Sequence, residues 1–360
     1  MRKKVGVIGV KGLPAIGGTA YVGQNLIAQL KEQYDFTVYA LKDRIPEGSE
    51  WEDGKQIAFN NFFIKKLNVL IYYLKCLFHS LFVKNYDLIH LHQIDGAFII
   101  PFLRLKYKVI ATHHGKTYEV EKWSPAIQRF FLFNEKILIR SANVVTAVSE
   151  PLSNYLNNNY NAKVRFIPNG INVEQSVQPM ERSGYLFFAA ARIIPLKGLH
   201  TLLEAMKKAN YTSPLIVAGD MNQMPGYAEE IRLAAEGLNV DFIGLVTDKS
   251  LLMAYLENCD AFVFPSFNEA MSMMLLEAAS VKARIICSDI DANQAVFNEE
   301  EVSFFKVGDA DSLKQQLELL HRGSSSFDEK ATIAYDKLRT HYSWSSIAGQ
   351  YIKNYEELMQ

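Results

Sequence analysis

Short apolar runs alternate along this chain with longer stretches whose apolar positions recur every three or four residues. The first pattern is that of buried strands and the second that of helices packed on them. Their alternation predicts an α/β protein with doubly wound parallel sheets. Strands are expected at 4–10, 36–41, 88–91, 108–112 and 144–148. After the last of these, Ser149 is placed to cap a helix and Pro151 suits its first turn. A run at 164–167 then leads into Pro168-Asn169-Gly170, a turn signal that closes the first half.

Residues 172–184 are polar, include Pro179 and Gly184, and have no period, so they read as a linker. A second alternating set follows, with strands expected at 185–190, 214–218, 241–243, 261–265 and 284–288. Two successive sets of similar size predict two Rossmann-like domains facing a cleft, residues 1–171 and 185–342. From Ser343-Trp344 to Gln360 the chain reads as one amphipathic helix, expected to pack back on the first domain. No repeat of fixed short period is present, and Ser324-Ser325-Ser326 reads as a loop.

The stretch 62–83 is rich in Phe, Leu, Ile and Tyr but carries Lys65, Lys66, Lys75 and His79. Its longest uncharged run is far short of the ~18–20 residues that a membrane span requires. Two readings stay open: a helix packed on a sheet, or one lying in a bilayer interface with its basic residues reaching outward. Charge bears on that choice. The net charge is −1, yet residues 1–175 hold 22 Lys and Arg against 14 Asp and Glu. The basic front half is therefore the candidate for peripheral membrane contact, or for an anionic acceptor. Three scattered cysteines, Cys76, Cys259 and Cys287, without a CxxC pair, argue for reduced thiols in the cytoplasm and against a zinc site.

Four segments carry candidate chemistry. In the first, Phe264-Pro265-Ser266-Phe267-Asn268-Glu269-Ala270-Met271-Ser272, a buried strand ends, a loop delivers Glu269, and an apolar helix is expected to open near Ala270. Glu277 falls inside that helix among Leu276, Ala278 and Ala279. Were the intervening stretch helical, eight residues would span about 12 Å, roughly the reach from sugar to ribose in a nucleotide-diphosphate sugar. The free N–H groups of the helix start suit a diphosphate. The ordinary alternative is a capping glutamate plus a buried ion pair.

The second segment, Ala191-Arg192-Ile193-Ile194-Pro195-Leu196-Lys197-Gly198, places two cations on a strand-to-helix loop. Arg grips phosphate oxygens bidentately and Lys supplies a point charge, so the pair can offset the charge of a departing diphosphate. The third, Lys11-Gly12-Leu13-Pro14-Ala15-Ile16-Gly17-Gly18, follows the first strand, and its adjacent glycines allow backbone to approach a ligand closely. Gly6, Gly9 and Gly12 imitate a dinucleotide fingerprint, but with GxxGxxG spacing rather than GxGxxG, which speaks against a dehydrogenase. The fourth, Thr112-His113-His114-Gly115, puts an imidazole at the carboxyl edge of the front sheet, where it would face a sugar or acceptor hydroxyl.

In this order and over nearly the whole chain, the four segments resemble the family 4 (group 1) glycosyltransferases. The family's E-x7-E is matched by Glu269 and Glu277, its R-x4-K-G by Arg192, Lys197 and Gly198, its Gly-Gly loop by Gly17 and Gly18, and its T-x-H by Thr112 and His114. The Pro168–Gly170 turn and the late Trp344 fit as well. The resemblance implies the GT-B fold and transfer of a hexose with retention of anomeric configuration, without a metal or resident cofactor. By resemblance Glu269, with Ala270, Met271 and Ser272, binds the donor sugar and phosphate, and Glu277 the ribose. Arg192 and Lys197 bind the diphosphate, Gly17 and Gly18 admit donor and acceptor, and His114 lines the reaction centre. The nucleotide sugar is a co-substrate, and no nucleic acid partner is expected. Front-face attack, with the leaving phosphate taking the acceptor proton, needs no protein nucleophile.

The Lys11–Gly18 loop and the Lys122-Trp123 pair also resemble bacterial rhamnosyltransferases that extend lipid-linked saccharides, which points to surface polysaccharide assembly at the inner face of a membrane. The chain departs from the family at Glu269-Ala270-Met271-Ser272, where E-G-F-G is usual. It departs again at Val281-Lys282-Ala283-Arg284, where Gly-Pro is usual, and at Asp291-Ala292-Asn293-Gln294. Asp289-Ile290-Asp291 forms a DxD, read here as coincidence. Two other functions compete: a sugar-nucleotide epimerase of the same fold, and a non-catalytic nucleotide-sugar binder.

Overall fold

The computed structural model of the chain describes residues 2–15, 18–64, 67–119, 123–173, 177–323 and 325–360. Gly17, Lys65, Lys66, Lys122 and Ser324, singled out above, lie outside them. Two compact units are present, Met1–Gly170 with Trp344–Gln360, and Ile171–Ser343. The segment read as a linker belongs to the second unit, where Gln178 donates to Asp248 (2.9 Å) and Ser250 (2.9 Å).

The first unit runs β1 (Lys3–Lys11), α1 (Gly18–Leu30), β2 (Tyr34–Leu41), β3 (Lys55–Phe59), α2 (Asn68–Phe82) and β4 (Leu88–His92). It continues with α3 (Ile100–Leu103), β5 (Lys108–His113), α4 (Pro125–Ser141), β6 (Val144–Ala147), α5 (Glu150–Tyr160) and β7 (Arg165–Phe166). Its parallel sheet has the order β3-β2-β1-β4-β5-β6-β7. The second unit runs β8 (Leu186–Arg192), α6 (Leu199–Lys208), β9 (Leu215–Asp220), α7 (Pro225–Ala235), β10 (Val240–Gly244), α8 (Lys249–Glu257) and β11 (Ala261–Phe264). After these come α9 (Met273–Ser280), β12 (Ile285–Ser288), α10 (Asp291–Gln294), β13 (Ser303–Phe305), α11 (Ala310–His321) and α12 (Ser326–His341). Its order is β10-β9-β8-β11-β12-β13, again parallel. Both sheets thus have the doubly wound 3-2-1-4-5-6 arrangement, in which the strand order reverses beside the first strand.

The last helix, α13 (Trp344–Met359), returns to the first unit. Trp344, Tyr351 and Tyr355 are buried along one face, and the Tyr355 hydroxyl lies 2.7 Å from His90 Nδ1 of β4. Arg165 of β7 holds Glu357 through two bonds of 2.6 and 2.8 Å. Gly170 lies so close to Trp344 that a Cβ there would meet the indole at 2.5 Å. These contacts anchor the C-terminus to the sheet that begins the chain.

Helix α2 resolves the ambiguity of 62–83 in an unexpected way. Tyr72, Tyr73, Cys76 and Ser80 are buried, so the helix packs on the sheet. Leu70, Leu74, Phe78 and Phe82 form a second apolar stripe at four-residue spacing, and all four are exposed. The helix is apolar on both sides.

Candidate functional site

In the second unit the strand order reverses between β8 and β11, so the connections leaving these neighbours diverge and open a crevice at their carboxyl ends. Strand β8 ends at Arg192 and continues through a short 3-10 turn, Pro195–Lys197, to Gly198. Strand β11 ends at Phe264 and gives way to the loop 265–272. Gly198 joins the two. It has φ +71°, and a Cβ there would stand 1.9 Å from the Pro265 carbonyl, so only glycine lets these loops touch. The Phe267 amide donates to the Leu196 carbonyl (2.9 Å), and the Ser266 hydroxyl donates to the same oxygen (3.1 Å).

This seam positions charge. The Lys197 ammonium lies 2.5 Å from Glu269 Oε1, with both side chains largely buried. The Ser266 hydroxyl also reaches that oxygen, at 2.8 Å. Arg192 is half-buried, and among the described residues its guanidinium has no ion-pair partner. The end of β8 and the turn after it therefore carry one uncompensated cation and one compensated cation.

The helix expected to open near Ala270 opens at Met273 instead. Ser272 occupies the N-cap in an extended conformation and its hydroxyl makes no capping bond, so the first-turn amides of α9 are not taken by a side-chain cap. Because Glu269 to Ser272 is loop, the helical spacing drawn from the sequence does not apply across it. Met271 is buried, while Ala270 and Ser272 are partly exposed. Glu277 is buried on α9 and pairs with Lys249, the first residue of α8. Burial holds the Glu277 carboxyl above the ordinary range, and the Lys249 ammonium offsets this only in part. The ordinary alternative of a capping glutamate fits neither side chain. Glu269 binds Lys197 and Ser266, Glu277 binds Lys249, and both carboxylates sit in largely buried ion pairs, as the second half of that alternative expected.

In the first unit Gly18 opens α1, and a Cβ on it would meet nothing within 4 Å, so no steric demand there requires glycine. Its neighbour Gly17 lies outside the described residues. Gly12 is the tight position of the loop, where a Cβ would come 2.3 Å from the Arg44 carbonyl. Lys11 is held by Asp95 (2.5 Å) and Gln93 (3.1 Å). Thr112 is buried, and its hydroxyl bonds His90 (2.7 Å) and Thr146 (2.8 Å). His113 is buried against Glu135 (2.9 Å). His114 alone reaches the surface of this cluster, half-buried, with Nε2 2.9 Å from Nδ1 of His92. Burial, with the charge of His113 adding to it, lowers the His114 pKa to about 3, so its imidazole is neutral at physiological pH. Among the described residues, no three His, Cys, Asp or Glu side chains gather as a metal-ligand set.

Ser266, Lys249 and His92 were not singled out in the sequence. His90 and His92 share one side of β4 at its carboxyl end, a signal that was available; Lys249 lies in no motif.

The Glycosyltransferase Family 4 model matches residues 16–175, and the Glycosyl transferases group 1 model matches residues 173–335. The phosphatidyl-myo-inositol mannosyltransferase of Mycobacterium leprae is 25% identical over 287 residues, covering 76% of this chain and 74% of that protein. Among solved structures, sucrose-phosphate synthase from Thermosynechococcus elongatus superposes with a TM-score of 0.81 at 20% identity, over 99% of each chain. Anabaena HepE in complex with UDP-glucose gives 0.78 at 14% identity, over 99% of this chain and 100% of that one. With this GT-B fold and two overlapping family matches that together span residues 16 to 335, the chain belongs to the family 4, group 1, glycosyltransferases.

Proposed function

We propose that this glycosyltransferase moves a hexose from a nucleotide-diphosphate sugar to a saccharide or lipid-linked saccharide, with retention and without a metal, in bacterial surface polysaccharide assembly. The observation that carries this reading is the Lys197–Glu269 pair beside the unpaired Arg192, at the point where the strand order reverses. A diphosphate entering the crevice meets two cations on one loop, and as it binds Lys197 it frees a Glu269 carboxylate still held by Ser266. That carboxylate then accepts hydrogen bonds from sugar hydroxyls. The first-turn amides of α9 suit the phosphates, beside Ala270, Met271 and Ser272, and Glu277 suits the ribose hydroxyls. Gly17 and Gly18 are assigned to the approach of donor and acceptor, and the neutral His114 to hydrogen bonding of a sugar or acceptor hydroxyl.

In the reaction, the bond between the anomeric carbon and the diphosphate oxygen breaks. The acceptor oxygen bonds that carbon from the same face, and its proton passes to the departing phosphate oxygen. Arg192 and Lys197 stabilise the charge that grows on the diphosphate, the role that metals fill elsewhere. The lipid-linked acceptor is supported by the mannosyltransferase relative, and the nucleotide donor by the UDP-glucose complex of HepE.

The test is thermal stabilisation by UDP, GDP, dTDP and ADP in a chelator, beside Arg192→Ala, followed by NMR of the anomeric linkage in the product. One nucleoside diphosphate at a hundred times its dissociation constant should stabilise the protein by about 2.7 kcal/mol. The shift should disappear in the variant, and the product should keep the donor's anomeric configuration. No shift with any nucleotide, an inverted product, or an isomerised sugar formed without acceptor would overturn the reading.

A further inference from the structure

The outer faces of α2, α3 and α4 form one surface. The Lys106 ammonium, just past α3, donates to the Leu81 carbonyl of α2 at 2.9 Å, and Arg104 donates to the Ser141 carbonyl ending α4 at 2.7 Å. Leu105 stands in sequence between these two anchoring residues, and it is 81% exposed. On α2, Phe78 is 61% and Phe82 74% exposed; on α4, Phe133 is 60% exposed, beside the exposed Ile127 and Phe130. An apolar surface on three adjacent helices exceeds the scattered single residues of an ordinary protein exterior.

Charge identifies what covers it. Between Asp53 and Asp87 the sequence holds five lysines and no carboxylate, and between Asp95 and Glu119 it holds Arg104, Lys106, Lys108 and Lys116, again with no carboxylate. The one acid on α4, Glu135, is buried against His113 and Tyr160. Among the described residues, Lys75, Lys84, Arg104, Lys106, Lys108, Arg129, Lys136 and Arg140 have no carboxylate within 4.0 Å, although other lysines of the same unit do, such as Lys3 with Asp87. Exposed apolar residues with uncompensated cations on and beside the same helices match an anionic bilayer interface, where phenylalanines enter the acyl boundary and lysines meet headgroup phosphates. Two copies of the face would bring like charges together with no acid to offset them. No helix among the described residues is long and apolar enough to cross a membrane, so the face would lie on one.

We propose that the α2–α3–α4 face docks this enzyme on an anionic phospholipid bilayer. The inference does not depend on the catalytic reading, because docking is scored without turnover. The chain is floated with phosphatidylcholine vesicles and with phosphatidylcholine vesicles containing phosphatidylglycerol. Binding is expected to the second kind only, and to fall in 1 M salt, where the screening length shrinks to about 3 Å. Lys84→Gln with Lys108→Gln should weaken it about five-fold per charge removed. Phe78→Ser with Phe82→Ser should weaken it at least about ten-fold, with tryptophan fluorescence and circular dichroism unchanged. Equal binding to both vesicles, or to neither, overturns the proposal. So does a dimer in sedimentation velocity that Phe78→Ser with Phe82→Ser disperses, which would give the face to a second copy of the chain.

Discussion

His92, the last residue of β4, and His114, one residue past β5, share one hydrogen bond, Nδ1 to Nε2 at 2.9 Å with the rings stacked 5.2 Å apart. His90 also stacks on His92, with centroids 4.1 Å apart. A bond between two imidazoles needs one donor and one acceptor, so at most one of the two rings can be protonated. Burial enforces this. It lowers His90 and His114 to about 3 and holds His92 well below its ordinary value, with neighbouring imidazoles adding to the effect.

The consequence for stability has a definite sign. Between about 6.5, the unfolded value, and about 3, the unfolded chain binds protons that the folded one refuses, so stability falls as pH drops through that window. Above it the three histidines contribute no pH dependence. Each should add about 1.4 kcal/mol per pH unit to the slope. All three tryptophans, Trp51, Trp123 and Trp344, belong to the unit that holds the histidines, so urea unfolding followed by tryptophan fluorescence reports on it directly. His92→Leu should reduce the acid slope by up to one proton. It should also lower turnover, because His114 loses the ring that orients it, while nucleotide affinity stays unchanged. An acid slope equal in variant and parent would show that His92 is not held neutral.

The Lys197–Glu269 pair predicts opposite signs for its two members. Lys197→Ala removes a phosphate contact and should weaken nucleoside diphosphate binding by about ten- to a hundred-fold, the worth of a charge-assisted hydrogen bond. Glu269→Ala removes a competitor for the same ammonium. It should leave free nucleoside diphosphate binding as tight or tighter while turnover collapses, since the sugar loses its acceptor. Calorimetric titration of both variants with the nucleotide that stabilises the parent decides this, and equal weakening in both would refute the exchange of partners.

Both parallel sheets were legible from the sequence, because buried strands such as Leu186–Arg192 stand out as apolar runs between periodic stretches. Lys55–Phe59 escaped because it is an edge strand with its residues only partly covered, and Ser303–Phe305 because three residues leave no pattern. The start of α9 was misplaced by three residues since Ala270 and Met271 are good helix formers, whereas the loop before them is fixed to Leu196 and Lys197 through Ser266, Phe267 and Glu269. Lys249 and Glu277 meet through the packing of α8 on α9, a contact no local spacing encodes. The double-sided character of α2 could be read only once the sheet had shown which stripe it covers.

Gly198 carries a conformational and a steric requirement together. Gly198→Ala must place a Cβ at φ +71°, a cost of about 1–2 kcal/mol, and must also push the Pro265 carbonyl away. The displacement separates Lys197 from Glu269. A misplacement of about 1 Å can cost a hundred-fold in rate, so activity should fall further than stability does. Calorimetric melting and turnover measured on the same preparation check this. A variant that melts a few degrees lower with full activity would mean the two loops do not act together.

Glu277 supplies the last prediction. Its carboxylate is buried and neutralised by Lys249, whose side chain is 36% exposed. Lys249→Ala leaves that carboxylate inside the unit without its ion-pair partner, which should cost about 1–2 kcal/mol. That is less than the 3–5 of a fully buried pair, because water already screens the ammonium. Glu277→Gln in the same chain removes the stranded charge and should recover most of the loss, so the double variant should melt above Lys249→Ala alone. Nucleotide binding should follow a different order. Glu277→Gln keeps an oxygen for the ribose but loses the charge-assisted bond, so affinity should drop about ten-fold whether or not Lys249 is present. If the double variant regains both stability and affinity, Glu277 serves the fold alone and the ribose must be held elsewhere.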